Sequence, residues 1–227
     1  MRAMIFKKPA AVVFDFDGTL ADTTGLIVAC YQATYQYLAI VAPPPKRIAA
    51  TIGLSLEAAF ALLTDMSEQD AAAAARCYRT LFMEREIDGS VSLEPFAGMP
   101  EVVAHCVRRG MPRAVGSSRG HDSLDPMLRS LGLFDSFDLV VDHSDAGVGK
   151  PDPAMLTVIA DRLGVPRSDL LMIGDTTYDI EMGNNAGCPT IAVTWGNHDR
   201  RTLADAGPTH IVDRPEEIIS LLSGAEW

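Results

Sequence analysis

The 227-residue sequence predicts an α/β fold, in which a doubly wound, mostly parallel sheet is interrupted by an inserted all-α segment. Three observations predict it. Short apolar runs recur along the chain, helix-forming segments separate them, and one long helix-forming block after the first run carries no strand pattern. Because strands that alternate with helices form right-handed βαβ units, we expect helices on both faces of the sheet.

Five apolar runs predict the strands. The first, AVVF at 11–14, is apolar throughout and bounded by polar residues, which is typical of a strand buried on both faces. Similar runs follow at 113–117, 137–141, 170–174 and 190–194.

Proline, glycine and polar residues mark the ends of the intervening helices. Residues 99–109 form one predicted helix, with Pro100 near its first position. Another is predicted over 153–163, where Asp152 is a suitable N-cap and Gly164 stands just past the end.

The inserted block is predicted to be a helical domain. We expect this cap over 24–95 and an α/β core over 1–23 and 96–227. Ser67 and Asp70 form a capping signature before a helix that runs to about Glu86. Earlier in the block, apolar and aromatic residues share one helical stripe, namely Ile27, Tyr31, Thr34, Tyr35 and Leu38.

The charge balance narrows the class of partner. With 19 Lys and Arg against 30 Asp and Glu, the net charge is −11, so long-range repulsion disfavours nucleic acid and anionic membranes. Neither a signal peptide nor a membrane span fits the N-terminal segment, and four widely spaced cysteines suit a reducing compartment. We therefore expect a cytoplasmic protein that is a monomer or a homodimer.

Acids, hydroxyls and one lysine follow four of the predicted strands. In chain order they are Asp15, Asp17, Gly18, Thr19, Ser117, Ser118, Lys150, Asp175 and Asp179, with the glycine making a turn. Because ligands of a doubly wound sheet bind beyond the carboxyl ends of its strands, we expect these residues along one edge. They are the residue types of a metal-assisted phosphate site.

Charge repulsion explains why a phosphate site needs this mixture. A carboxylate that attacks a phosphate dianion meets like charge, and each unit pair about 4 Å apart costs about 4 kcal/mol at an effective dielectric of about 20. A divalent cation and a lysine offset this repulsion. Mg²⁺ suits best, because it is a hard ion that binds one or two carboxylates together with phosphate and water.

Four segments resemble the ordered motifs of the haloacid dehalogenase superfamily. They are DFDGTLADT at 15–23, GSSRG at 116–120, GKPDP at 149–153 and GDTTYD at 174–179. The sequence is similar to the phosphoglycolate-phosphatase-like branch, in which a helical cap is inserted after the first motif. The resemblance covers essentially the whole chain and implies a Rossmann-like core and a Mg²⁺-dependent phosphatase acting on a small phosphorylated metabolite.

The resemblance also implies residue roles. Asp15 is implied to be the nucleophile that forms an aspartyl-phosphate, and Asp17 to protonate the leaving oxygen and then activate water. The implied metal ligands are the Asp15 carboxylate, the Asp17 carbonyl and the Asp175 carboxylate, with Asp179 just outside them. The implied phosphate-binding residues are Gly18, Thr19, Ser117, Ser118 and Lys150, and Lys150 also neutralises the nucleophile.

Each of these residues has a structural alternative. Turn acids, a helix-capping loop and a solvated loop charge would explain Asp15–Asp17, Ser117–Ser118 and Lys150 respectively. Thr176 and Asp179 fit a capping box. Together, however, these alternatives require four coincidences at one sheet edge, so we favour the phosphate site.

The cap is expected to act as a lid, with hinges near 22–25 and 89–95. Its loop TIGLS at 51–55 resembles the substrate-reading loop of capped members, although it could be only a turn before a helix that Ser55 caps.

Two other functions stay open. A sugar-phosphate mutase of the same superfamily usually has DGV where this chain has Gly18-Thr19, and a cap-loop arginine where Leu56 aligns. A non-catalytic phosphate-binding protein on the same fold would be marked by the loss of a motif carboxylate, and none is missing here. Asp17 argues against dehalogenases and phosphonate-cleaving members, which lack this second acid.

Overall fold

The computed structural model describes residues 8–87 and 93–224, and of residues 86 and 87 only the backbone. Its strands are β1 (Ala11–Phe14), β2 (Arg113–Gly116), β3 (Leu139–Val141), β4 (Leu170–Gly174), β5 (Thr190–Val193) and β6 (His210–Val212). Within the described residues they form one sheet in the order β3-β2-β1-β4-β5-β6, and every adjacent pair is parallel. The predicted parallel α/β sheet is confirmed.

The first five strands coincide with the predicted apolar runs to within two residues at each end. The sixth strand, β6, was not predicted, because three residues that begin with a histidine are too short to show a strand pattern.

The helices separate the strands as the sequence pattern indicates. Along the described chain they are α1 (Thr24–Tyr37), α2 (Pro45–Ala49), α3 (Leu56–Thr64), α4 (Glu68–Ile87), α5 (Met99–Arg108), α6 (His121–Ser130), α7 (His143–Ala146), α8 (Ala154–Leu163), α9 (Thr177–Ala186), α10 (Arg200–Asp205) and α11 (Pro215–Ser223). Among these described helices, none combines the length and the apolar character needed to cross a bilayer.

Helix α8 differs by one residue from its prediction. It begins at Ala154 with Pro153 in the N-cap position, because the Asp152 carboxylate accepts the Ala154 N–H at 2.9 Å from one residue further back. Gly164 ends the helix in the left-handed region, with a φ of 69°.

Alternate residues of the central strands face opposite layers of helices. Val12 and Phe14 pack with buried residues of α5, α6 and α11, whereas Ala11 and Val13 pack with those of α8 and α9. This two-sided burial explains why β1 is apolar at every position.

Helices α1 to α4 pack around an aromatic cluster. The Tyr31 ring lies 4.7 Å from that of Phe60 and 5.0 Å from that of Tyr78. The predicted α1 stripe forms this core, since Ile27, Tyr31, Thr34 and Tyr35 are buried and Leu38 is half-buried.

The capping signature of α4 is confirmed, because Ser67 Oγ accepts the Asp70 N–H at 3.2 Å. Part of the second predicted hinge, 89–95, lies outside the described residues.

The site is expected where the strand order reverses. Strand β1 lies between β2 and β4, and Phe14 pairs with Val115 on one side and Ile173 on the other. The residues that follow these strands therefore share a crevice beyond their carboxyl ends.

Close packing of α9 against the sheet generates a stability prediction. A Cβ at Gly183 would lie 2.3 Å from Thr190 Cγ2, whereas a Cβ at the helical Gly25 has no neighbour within 4 Å. We expect Gly183→Ala to lower the free energy of unfolding by about 1 to 3 kcal/mol despite the better helix propensity of alanine. The matched control Gly25→Ala is expected to leave it unchanged or raise it by up to about 1 kcal/mol. Urea midpoints measure both, and equal midpoints for the two variants would contradict this packing.

Candidate active site

A buried ion pair lies at the end of β1. Lys150 Nζ donates to Asp15 Oδ1 at 2.5 Å and to Asp179 Oδ1 at 2.7 Å. The lysine side chain is 0% exposed. Lys150 is therefore bound between two carboxylates, and the alternative of a solvated loop charge does not apply.

Asp179 has two roles at once. Its Oδ2 accepts the Thr176 N–H at 3.1 Å and the Thr176 hydroxyl at 2.6 Å, which forms the capping box of α9. Its Oδ1 binds Lys150. A Cβ at Gly174 would lie 2.3 Å from the Asp179 Cβ, so this close approach requires glycine at the end of β4.

Asp175 is fully buried and held by three donors. Its Oδ1 accepts the Thr19 hydroxyl at 2.9 Å, and its Oδ2 accepts the backbone N–H of Asn197 at 2.7 Å and the side-chain amide at 2.9 Å. A Cβ at Gly196 would lie 2.2 Å from Asp175 Oδ2. Backbone and side chains thus orient this carboxylate on both sides.

Sequence reasoning missed Asn197. It lies beyond the carboxyl end of β5, so the strand-end rule applied to the fifth strand would have found it.

Three buried carboxylates lie close together, and Lys150 is bonded to two of them. Oxygens of Asp15, Asp175 and Asp179 lie within 4.8 Å of one another. Burial and then the charge of Asp179 raise the pKa of Asp175 to about 7, and burial raises the pKa of Asp15 well above its usual value despite Lys150. Burial opposes the charge of Lys150, but the charges of Asp15 and Asp179 outweigh it and raise the lysine pKa. A hard divalent cation fits this excess of buried oxygen donors.

Asp17 points to a different partner. Its Oδ1 accepts the Thr23 hydroxyl at 2.7 Å, and Arg119 donates to it from Nη2 at 2.8 Å and to Oδ2 from Nε at 3.2 Å. Arg119 Cζ lies 4.8 Å from the centre of the Phe82 ring of α4. Sequence reasoning missed Arg119, although it stands inside the GSSRG segment.

Apart from Lys150, the predicted phosphate-binding residues divide into two groups. Ser117 and Ser118 line a cavity of about 240 Å³ together with Asp15 and Asp17, and the buried Ser117 Oγ accepts the Arg119 N–H at 3.1 Å. Outside that lining, the Gly18 N–H donates to the Ala21 carbonyl at 2.9 Å, and the Thr19 hydroxyl is bound to Asp175.

Cap residues close the other side of the cavity. They are mostly apolar or aromatic, namely Ile27, Tyr31, Ile52, Leu54, Leu56, Tyr78, Phe82 and Met83. Residues 51–54 of the predicted substrate-reading loop belong to the lining. Ser55 caps α3, since its Oγ accepts the Ala58 N–H at 3.3 Å. The turn interpretation of this loop is confirmed, and the substrate-reading role stays a prediction.

Core side chains bind the backbone of the cap. Ser118 Oγ donates to the Gly53 carbonyl at 2.6 Å. His198 Nδ1 accepts the Thr177 N–H at 3.0 Å, which leaves its Nε2 to donate to the Ala50 carbonyl at 3.2 Å.

Trp195 packs on core residues next to the connections between core and cap. Its Nε1 donates to the Thr19 carbonyl at 3.2 Å, and its ring lies 6.5 Å from that of Phe96.

A second group of potential metal ligands is accounted for by hydrogen bonds. His121 binds Asp125 at 3.1 Å and Asp145 at 3.0 Å, and Asp145 also pairs with Arg162 at 2.7 Å. Burial lowers the pKa of His121, but the two carboxylates outweigh it and raise that pKa. Asp142 caps α7.

Several known proteins are similar to this chain over most of its length. The family model described as haloacid dehalogenase-like hydrolase matches residues 12–193. A Dickeya dadantii protein named "Probable phosphatase IndB" is 36% identical, over 92% of this chain and 91% of that protein. A phosphoglycolate phosphatase of Pectobacterium atrosepticum is 27% identical, over 93% of this chain and 91% of that protein. The structure of a haloacid dehalogenase-like family hydrolase from Streptococcus pneumoniae has the same fold, with a TM-score of 0.82 at 22% identity over 94% of this chain and 98% of that one.

The crowded carboxylates generate a pH prediction. The pKa of Asp175 is raised from 3.8 to about 7, so the native state keeps a proton that the unfolded state releases. Without divalent cations, the free energy of unfolding is therefore expected to fall as the pH rises from about 5 to about 8, by roughly 2 kcal/mol from this group. Urea unfolding in a chelator measures it.

The variant Asp175→Asn is expected to flatten this pH dependence, whereas Asp161→Asn at an exposed position of α8 should leave it unchanged. Adding Mg²⁺ should stabilise the protein more at pH 8 than at pH 5, since the ionised carboxylates bind it. An unchanged slope in Asp175→Asn would contradict the assignment.

Proposed function

The chain belongs to the haloacid dehalogenase-like hydrolase family, and from this premise we propose that it is a Mg²⁺-dependent phosphatase of small phosphorylated metabolites. The observation that carries the proposal is the buried contact of 2.5 Å between Lys150 and Asp15, where Asp15 also lines the cavity. This contact supports the assignment of Asp15 as the nucleophile, since a cation lies beside a carboxylate that borders the cavity.

Asp15 attacks phosphorus with one carboxylate oxygen. The bond from phosphorus to the leaving oxygen breaks, Asp17 gives that oxygen a proton, and an aspartyl-phosphate forms. Asp17 then takes a proton from water, which attacks phosphorus and releases inorganic phosphate and the Asp15 carboxylate. Both side chains line the same cavity, which supports this division of roles.

The Asp15 carboxylate, the Asp17 backbone carbonyl and the Asp175 carboxylate would hold Mg²⁺. When bound, this cation offsets the repulsion between the nucleophile and the phosphate. The raised pKa values of Asp15 and Asp175 support such a site. They show that the buried carboxylates outnumber the positive charges beside them, and a divalent cation would stabilise their ionised forms. Asp179 keeps Lys150 in place from the far side.

Ser117 and Ser118 are proposed to hold the phosphate oxygens, through the Ser117 hydroxyl and the backbone N–H groups around Ser118. Lys150 neutralises charge on the nucleophile and the phosphate together. The Gly18 N–H donates to the Ala21 carbonyl, and the Thr19 hydroxyl donates to Asp175. Both groups would have to leave these partners before they could bind the phosphate.

We propose that the segment 24–95 is a cap that closes over the site. Its two connections to the core run side by side, since Ala21 forms an isolated bridge with Pro95, and the Phe96 N–H donates to the Leu20 carbonyl at 2.9 Å. Hinge motion near 22–25 and 89–95 would open the cavity, and closure would exclude water before phosphoryl transfer.

Phosphoglycolate is the first substrate to test, because a relative named phosphoglycolate phosphatase matches over 93% of this chain. We also propose a cytoplasmic location, since none of the four cysteines, all of which lie in the described residues, forms a disulfide.

Replacing the nucleophile tests the mechanism. We expect Asp15→Asn to lower kcat for phosphate release from an aryl phosphate and from phosphoglycolate by at least about a thousandfold, because an amide does not form the intermediate. The exposed Asp161→Asn is the matched control, with unchanged kcat expected. Removal of Mg²⁺ with a chelator should abolish the wild-type activity.

Other outcomes would assign a different function. Turnover that survives in Asp15→Asn would eliminate the nucleophile. A wild-type protein that is inert towards a broad panel of phosphorylated metabolites would favour a phosphate-binding protein. Formation of sugar-phosphate isomers with a bisphosphate activator would identify a mutase.

Removing the hydrogen bond from Ser118 Oγ to the Gly53 carbonyl of the cap tests whether this bond helps to hold the cap closed. Ser118→Ala removes the hydroxyl that binds Gly53 but keeps the backbone N–H. If this hydrogen bond stabilises the closed cap by about 1 kcal/mol, its loss should lower kcat/KM about fivefold. Amide hydrogen exchange over residues 51–55 should also become faster. Ser168→Ala, at an exposed position far from the cap in sequence, is the control. Unchanged exchange in Ser118→Ala would argue against this bond holding the cap.

A further inference from the structure

We propose that Arg119 determines specificity by binding an anionic group, a carboxylate or a second phosphoryl group, on the leaving-group part of the substrate. The anion takes the place of the Asp17 carboxylate, which Arg119 binds in this structure. The inference rests on the proposed phosphatase function and adds a requirement on the substrate.

The position of Arg119 is determined from two sides. Arg119 lines the cavity, and its side chain is 7% exposed. From the core, Nη1 lies 3.4 Å from Ser123 Oγ. From the cap, the Phe82 ring lies beneath the guanidinium at 4.8 Å, a contact that favours a cation. The group is therefore held at the boundary that closes over the substrate.

Asp17 is needed in two places. The proposed reaction requires its carboxylate at the leaving oxygen, yet here that carboxylate accepts from Thr23 and from two nitrogens of Arg119. When Asp17 turns to the leaving group, Arg119 gives up these bonds. Removing a charged partner from a buried guanidinium is costly, whereas a substrate carboxylate or phosphoryl group can bind the same planar pair of donors.

The rest of the cavity supports a discriminating role for this arginine. The other arginine of its lining, Arg79, is 51% exposed and pairs with Glu57 at 2.8 Å. An anion at Arg79 would stay largely solvated, but an anion at Arg119 would be desolvated and bound more strongly. The cap contributes apolar and aromatic residues to the lining of the same cavity, such as Ile52, Leu54 and Tyr78. The favoured leaving group is therefore an apolar body that carries an anion.

A matched pair of substrates tests this inference. Carboxyphenyl phosphate, as its 3- and 4-isomers, is compared with the neutral isostere carbamoylphenyl phosphate, and the measured quantity is the ratio of their kcat/KM values. The wild type is expected to prefer the carboxylate of at least one isomer by about tenfold or more. Arg119→Gln should reduce this ratio to about one, and Arg119→Lys should give an intermediate ratio because it keeps the charge without the planar fork.

The ratio isolates the anion contact, because any disturbance of Asp17 in these variants slows both substrates alike. Arg79→Gln is the matched control and should keep the wild-type ratio. An equal rate on both substrates in the wild type, a preference retained in Arg119→Gln, or a preference lost in Arg79→Gln would each overturn the proposal.

A binding measurement separates this proposal from the phosphatase assignment. Calorimetry with 4-hydroxybenzoate, with 4-hydroxybenzamide as the neutral partner, reports the same preference without turnover. If the wild type hydrolyses neither phosphate but binds the benzoate more tightly, and Arg119→Gln loses that difference, the phosphatase function fails and the Arg119 site stands. Equal binding of the two probes in the wild type and in Arg119→Gln would overturn the Arg119 site.

Discussion

Repulsion among buried carboxylates is the constraint around which the rest of the site is arranged. Asp15, Asp175 and Asp179 bring oxygens within 4.8 Å of one another, with Lys150 bound directly to two of them. Burial raises the pKa of Asp15 and of Asp175, so the protein keeps these groups together against their preference for solvent. Such a cluster of carboxylates favours a bound cation, because a cation offsets their mutual repulsion.

Backbone geometry makes this crowding feasible. Strand β1 lies between β2 and β4, so the carboxyl ends of these three strands open into one crevice. Gly174 and Gly196 lack the Cβ atoms that would collide with Asp179 and Asp175. The capping box of α9 then uses one oxygen of Asp179 and leaves the other for Lys150. Helix capping and charge pairing therefore share one side chain.

The cap completes the site with a different chemistry. Its aromatic and apolar side chains cover the cavity, while its loop offers the carbonyl groups of Ala50 and Gly53 to donors of the core. Hydrogen bonds of this kind could break and re-form if the cap moves as proposed. Arg119 contacts both parts, through Asp17 in the core and Phe82 in the cap, so the proposed binding of an anion at Arg119 would act at the boundary between core and cap.

The amino-acid sequence by itself determined the parallel α/β sheet, five of its strands, the helical insertion and the strand-end residues, because strand burial and helix capping are local patterns. It left Lys150 and Asp179 with two interpretations each, and it missed β6, Arg119 and Asn197. Only the tertiary structure decided that Lys150 is buried between Asp15 and Asp179, and that Thr19 binds Asp175. Those contacts join residues up to 156 positions apart, and their geometry depends on how the whole chain packs rather than on any local pattern.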